Sequence, residues 1–180
     1  MAGQIKVNQV QLGDSATASQ NFVLQTMLDG TAKLSRGNLG ATTQDVLTVN
    51  AAGVVTLTNG LSSTSDTVAV GYSTGAGGTV TQLTSKTTAV TLNKPCGQIT
   101  THNAALAAGA SIRFNLTNNV ITPLDSVIVS VLGGGGNYRA AVNNIALVGG
   151  SVDLILTNTF AGSLSEAVTI NFAIIKGSAS

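Results

Sequence analysis

Charged side chains are scarce in this sequence. Its 180 residues include 8 Lys and Arg, 7 Asp and Glu and one His, so that 8% are charged and the formal net charge is +1. Globular domains usually carry about 25% charged residues. Nucleic-acid binding needs a stripe of Lys and Arg that displaces counterions, and because the sequence has none, we expect no nucleic-acid partner. A net charge near zero also lowers the repulsion between copies of the chain and favours self-association.

Aromatic residues, cysteines and long apolar runs are also few. Aromatic residues make up 3% of the chain, Trp is absent, and Cys96 is the only cysteine, so we expect no internal disulfide. No run approaches 18 uninterrupted apolar residues, so we expect no insertion into a membrane. Apolar residues still reach 43%, mostly Val, Ala, Leu and Ile, which suit sheets and close-packed interfaces.

Those apolar residues alternate with polar ones along much of the chain. The alternation is clearest at residues 112–117, 152–157 and 168–174, and a period of two is typical of a half-buried strand. Short segments of Gly, Asn, Asp and Pro separate about eight such strands in the second half of the chain. We therefore predict an all-β chain whose carboxy-terminal part is an antiparallel sandwich or jelly roll.

A break in composition divides the chain. It falls at residues 59–67, which begin Asn-Gly-Leu-Ser-Ser-Thr-Ser-Asp and have the composition of a linker. We predict a small β-rich region at residues 1–66 and a β domain at residues 67–180. The first region contains hairpin signals, of which Asp29-Gly30 is a strong one, but few large apolar groups. A region of that size is marginal alone, so we expect it to fold against a partner chain.

The residues that usually perform catalysis lack companions. His102 is the only His and Glu166 the only Glu, which leaves little material for a catalytic triad, a metal site or paired carboxylates. Lys94 could lower the pKa of the nearby Cys96 and make its thiol a nucleophile. We expect instead that Cys96 is a small packed thiol. The Gly-rich residues 75–78 lack the Lys-Ser/Thr of a phosphate-binding loop. We predict no enzyme activity and no catalytic, cofactor-binding or metal-binding site.

Two small sets of residues are candidates for binding surfaces. Ile128, Leu132 and Ile175 interrupt otherwise polar strand faces, which makes them candidates for an interface between copies of the chain. The alternative is that both faces of those strands are internal to the sandwich, and the sequence does not separate the two. Tyr138 beside Arg139, after the Gly-rich residues 133–136, is the candidate for binding a glycan at the surface, because aromatic side chains usually line such sites and the chain has only two Tyr and four Phe.

Two sets of segments carry a resemblance to known proteins. The first comprises residues 20–24 (QNFVL), 29–31 (DGT) and 36–49 (RGNLGATTQDVLTV). The second comprises residues 79–82 (TVTQ), 90–99 (VTLNKPCGQI), 161–167 (AGSLSEA) and 170–172 (INF). Both resemble modules in virion proteins of tailed bacteriophages and prophages, which are described as tail-fibre, head-fibre or decoration proteins.

The resemblance implies a homotrimeric capsid decoration (cement) or head-fibre protein at the virion surface. In such proteins the amino-terminal part usually attaches to the particle, which would place contact with the major capsid protein or another virion protein in residues 1–60. The carboxy-terminal β domain usually forms an exposed and commonly trimeric knob, here residues 67–180. The alternative is a short tail fibre, an adhesin that recognises glycan on the host surface, although the chain has no long repetitive shaft.

Overall fold

The fold is all-β, as the alternation predicts. The computed structural model describes residues 9–58, 70–73 and 75–179, and these contain thirteen strands, two short 3₁₀ turns and no α-helix. The chain divides into two compact units, Met1–Val70 and Gly71–Ser180. The sequence places the boundary between residues 66 and 67, and its predicted linker at residues 59–67 lies outside the described residues.

The described part of the first unit forms a five-stranded antiparallel sheet in which each strand pairs with the next one along the chain. Its strands are β1 (Gln9–Leu12), β2 (Phe22–Thr26), β3 (Ala32–Asn38), β4 (Ala41–Val49) and β5 (Val55–Leu57). The predicted hairpin at Asp29-Gly30 joins β2 to β3. Gly30 has a φ of 83°, and Asp29 Oδ1 accepts a hydrogen bond of 2.9 Å from the Thr31 N–H. Gly30 suits this position because glycine adopts a positive φ without a steric penalty.

The first unit buries little apolar surface. The 3₁₀ turn Ala18–Gln20 lies against β3, and Asn21 ties this segment down by donating to Asn38 Oδ1 at 2.5 Å. Within the described part of this unit, Val23 is the only fully buried apolar residue. The first unit therefore has no hydrophobic core of its own in that part.

The second unit contains two four-stranded sheets, in the orders β10-β13-β8-β6 and β11-β12-β9-β7. We call them the β13 sheet and the β12 sheet. The strands are β6 (Thr79–Thr81), β7 (Val90–Thr91), β8 (Cys96–Thr100), β9 (Ser111–Thr117), β10 (Ser126–Leu132), β11 (Tyr138–Ile145), β12 (Ser151–Asn158) and β13 (Thr169–Ile175). A 3₁₀ turn, Gly134–Gly136, separates β10 from β11.

Both sheets of the second unit are mixed, whereas the sequence predicts antiparallel pairing throughout. β6 pairs parallel with β8, and β7 pairs parallel with β9. The four remaining pairs between the described strands of this unit are antiparallel. The parallel pairs arise because consecutive strands from β6 to β9 alternate between the two sheets, so that strands two apart in sequence become neighbours.

One hydrophobic cluster draws on both sheets of the second unit. Among the described residues it contains fourteen buried apolar ones. β12 and β13 supply alternate positions to it, such as Val152, Leu154, Ile170 and Phe172. Because successive side chains of a strand point to opposite faces, this burial also fixes which residues of each sheet face outward. Those outward positions form the candidate surfaces of this unit.

Candidate interaction surfaces

The three residues predicted at an interface between copies lie together on the outward face of the β13 sheet. Ile128 and Leu132 are on β10, Ile175 is on the neighbouring β13, and each is 55% exposed. They point outward because the residues between them on β10, such as Val129, pack against the hydrophobic cluster. All three are therefore exposed on the unit and are not internal to it.

This outward face of the β13 sheet has no charged side chain on its described strands. The strand registers place the following residues on it: Thr79, Thr81, Cys96, Gln98, Thr100, Ser126, Ile128, Ser130, Leu132, Thr169, Asn171, Ala173 and Ile175. Gln98 Nε2 donates a hydrogen bond of 3.0 Å to Asn171 Oδ1 across the middle of the face. The outward face of the β12 sheet differs, since Arg113, Arg139 and Asp153 lie on it.

Tyr138 is buried, which corrects its assignment as an exposed glycan-binding residue. It is 7% exposed and belongs to the hydrophobic cluster, whereas its neighbour Arg139 is exposed. The physical reason is strand alternation together with close contact: a Cβ on Gly134 would lie 2.8 Å from the Tyr138 ring, so the preceding turn packs against it. Burial raises the pKa of Tyr138, and the charge of Glu166 adds to this effect.

A buried lysine lies near Tyr138, and sequence reasoning missed it. Lys86 is 3% exposed, and its Nζ donates to the main-chain oxygens of His102 at 2.5 Å and Glu166 at 2.8 Å. Nζ also lies 5.9 Å from the centre of the Tyr138 ring. Burial lowers the pKa of Lys86, and the charge of Glu166 opposes this shift. Because both acceptors are main-chain carbonyls, Lys86 holds two loops together.

His102, the only histidine, lies in the loop that follows β8. His102 Nδ1 accepts a hydrogen bond of 2.9 Å from the Ala104 N–H, which is the behaviour of a residue in a turn. Across residues 9–58, 70–73 and 75–179, no group of three His, Cys, Asp or Glu residues is arranged to hold a metal ion. The same part of the chain contains no helix that is long and apolar enough to cross a membrane.

The first unit also has an apolar surface, which the sequence analysis did not identify. The strand registers place Val10, Leu24, Leu34, Leu47 and Leu57 in one row across all five strands, on the same face of the sheet. We call this face the leucine face. The rows that flank this central row are Leu12, Phe22, Arg36 and Gln44 on one side and Thr26, Ala32, Val49 and Val55 on the other.

The opposite face of the same sheet is polar. Lys33 Nζ and Asp45 Oδ2 form an ion pair at 2.7 Å, and Ser35 Oγ donates to Asp45 Oδ1 at 2.8 Å. These two partners lower the pKa of Asp45. The signal that identifies the leucine face is the position of the leucines within each hairpin, but a row across five strands emerges only once the register is known.

Comparison of the chain with protein-family models, with curated proteins and with solved structures finds no match.

Proposed function

We propose that this chain is a structural protein of a tailed-bacteriophage virion, a homotrimer that decorates the capsid and stabilises the assembled shell. In this proposal residues 1–66 attach to the major capsid protein or another virion protein. Residues 67–180 form an exposed knob, in which the two four-stranded sheets pack face to face as a sandwich or jelly roll. The role is mechanical and requires no enzyme activity, cofactor, nucleic acid or membrane.

The observation that carries the proposal is the uncharged outward face of the β13 sheet. Ile128, Leu132 and Ile175 stand on it, each about half exposed, among Thr, Ser, Asn and Gln side chains. Interfaces between permanent subunits are apolar and depleted of charge. A face of this composition supports contact between copies of the chain, which the homotrimer needs.

Stabilisation of the shell follows from mass action. A protein that binds the assembled shell but not its separated subunits lowers the free energy of the assembled state. The stabilisation grows with the logarithm of the ratio of free protein to its dissociation constant, and it reaches about 2.7 kcal/mol per site at a hundredfold excess over that constant. Decorated particles should therefore open at a higher temperature than bare ones.

The test uses particles of the phage that encodes the chain, prepared with the gene for this protein deleted. We expect the purified full-length chain to bind these particles, and to raise the temperature at which they release their DNA, followed by a DNA-binding dye. Failure of the chain to bind would contradict the virion role. A chain that lacks residues 1–60 should not bind, and if it still decorates the particles, the attachment assignment is wrong.

A further inference from the structure

We infer that the leucine face of the first unit is closed by the leucine faces of two further copies of this chain, arranged around a threefold axis. The inference takes its copy number from the homotrimer of the proposed function but does not depend on the virion role. It assigns a contact between copies to a unit whose role in the proposed function is attachment. The contact between copies does not use the polar face of the same sheet.

The leucine face needs a cover for the sheet to be stable. Leu12 is 51% exposed, Leu24 50% and Val55 57%, and Val23 on the opposite face is the only fully buried apolar residue in the described part of the unit. Ordering one residue of backbone costs about 1–2 kcal/mol, and buried apolar surface is the main term that offsets this cost. A sheet with its apolar face in water lacks that term, so the cover must be present whenever the sheet is folded.

The charge pattern favours copies of the same chain as the cover. Among the described residues of the leucine face the one charged side chain is Arg36, which lies in a flanking row on the central strand β3, and its guanidinium lies 5.9 Å from the centre of the Phe22 ring. An aliphatic face without a charge pattern offers nothing by which a different partner is selected. Apart from Arg36, copies of this face meet without like charges opposite one another, and they are present wherever the chain is made.

The width of the sheet fits a threefold arrangement. Five strands at a spacing of about 4.8 Å give a width of about 19 Å. Three sheets of this width, set as the sides of a triangular prism, would each lie about 5.5 Å from the central axis, which is close to half of the roughly 10 Å between stacked sheets. Aliphatic side chains of the size of Leu and Val therefore fill the space inside.

The test compares two double variants of the full-length chain. Leu24→Thr with Val55→Thr removes two apolar side chains from the leucine face, and Thr keeps the preference for a strand. The matched control is Leu28→Thr with Val54→Thr, which changes the same residue types in the same unit. Leu28 is 107% exposed against 50% for Leu24, and Val54 is 56% exposed against 57% for Val55, but Leu28 and Val54 lie outside the strands.

The readout is the mass in solution by light scattering over a dilution series, with far-ultraviolet circular dichroism as a check of strand content. We expect the unmodified chain and the control to have three times the 17.9 kDa mass of one chain. The leucine-face variant should dissociate to monomer at a protein concentration more than about tenfold higher, because each lost methyl or methylene contact recurs in all three copies.

Three results would overturn the inference: an unmodified chain that is a monomer, one that is a dimer, or a leucine-face variant that dissociates together with the control. Dissociation of the leucine-face variant at the same protein concentration as the control would count against the inference even if the variant loses strand content. In that case contacts outside the leucine face would hold the trimer together. A third variant, Ile128→Thr with Leu132→Thr, identifies that case by dissociating instead. Failure of the virion role would appear only in the binding to particles and would leave these masses unchanged.

Discussion

Substitution of Asp125 by Asn tests the account of the second unit most directly. The Asp125 side chain is fully buried, and its carboxylate accepts three hydrogen bonds. The donors are the Thr122 N–H at 2.8 Å, Lys176 Nζ at 2.5 Å and the Gly177 N–H at 3.0 Å. The carboxylate thus ties the loop before β10 to the segment after β13. An Asn side chain at this position would offer one acceptor oxygen where the carboxylate offers two.

The magnitude follows from the bonds that are lost. In Asp125→Asn the side-chain NH₂ group faces one of the two main-chain donors, the N–H of Thr122 or that of Gly177. That N–H loses its acceptor, and an unsatisfied buried N–H costs about 1–3 kcal/mol. Lys176 is half exposed, so the lost ion pair adds no more than about 1 kcal/mol. We expect Asp125→Asn to lower the free energy of unfolding by about 2–4 kcal/mol. The midpoint in urea should fall by about 1–2 M.

The measurement is urea unfolding followed by far-ultraviolet circular dichroism, since the chain has no Trp. The matched control is Asp153→Asn on the outward face of the β12 sheet, where Asp153 Oδ1 accepts a bond of 3.0 Å from Asn115 Nδ2. The control should cost less than about 1 kcal/mol. Equal losses in the two variants would refute the reasoning about the buried carboxylate.

The effect of Asp125 should also depend on pH. Burial by itself would raise the pKa of Asp125, but the bonds from Lys176, Thr122 and Gly177 outweigh burial and hold the pKa well below its ordinary value. Because the pKa is depressed in the folded state, the stabilisation is complete above about pH 4 and is lost as the pH falls towards the folded-state pKa. The difference between the unmodified chain and Asp125→Asn should therefore shrink below about pH 4. A difference that stays constant down to about pH 2 would contradict this.

Two further substitutions test buried positions by the same urea unfolding. Asn158→Ala should lower the free energy of unfolding by about 2–4 kcal/mol, because the fully buried Asn158 Nδ2 donates to three main-chain carbonyls. Its control, Asn115→Ala on an outward face, should lower the free energy of unfolding by less than about 1 kcal/mol. Gly97→Ala should cost about 1–3 kcal/mol, because the new Cβ would lie 2.5 Å from the Gly78 oxygen. Gly71→Ala, with no atom within 4 Å of its Cβ, should stay within about 0.5 kcal/mol of the unmodified chain, and a similar loss in both Gly variants would refute the steric argument.

Strand positions and their inward faces could be predicted from the sequence where one face is buried. Phe114 and Leu116 on β9, and Val152 and Leu154 on β12, alternate with polar residues and are buried in the structure. A period of two follows directly from the pleat of a strand. For the same reason, Ile128 and Leu132 could be recognised as apolar residues that break a polar face.

Other features depend on contacts that a single strand does not encode. β6 and β7 have three and two residues, too few to show a period, and their parallel pairing comes from the path of the chain between sheets. Lys86 lies among Thr and Ser residues typical of an exposed loop, and only the carbonyls of His102 and Glu166 explain its burial. Tyr138 starts a strand after a Gly-rich turn, so its direction depends on the exact residue at which pairing begins.

The position of β13 sets the order in which the chain can fold. β13 is the last strand of the second unit, yet it lies between β10 and β8 in the middle of its sheet. The β13 sheet cannot complete its strand pairing before β13 is available. Because the strands from β6 to β9 alternate between the β13 sheet and the β12 sheet, the two sheets depend on each other. Between residues 9 and 58 the first unit has only pairings between consecutive strands, and such local contacts form quickly. Pairing in the first sheet needs no strand of the second unit; in the trimer inferred above it needs instead the two further copies that cover the leucine face.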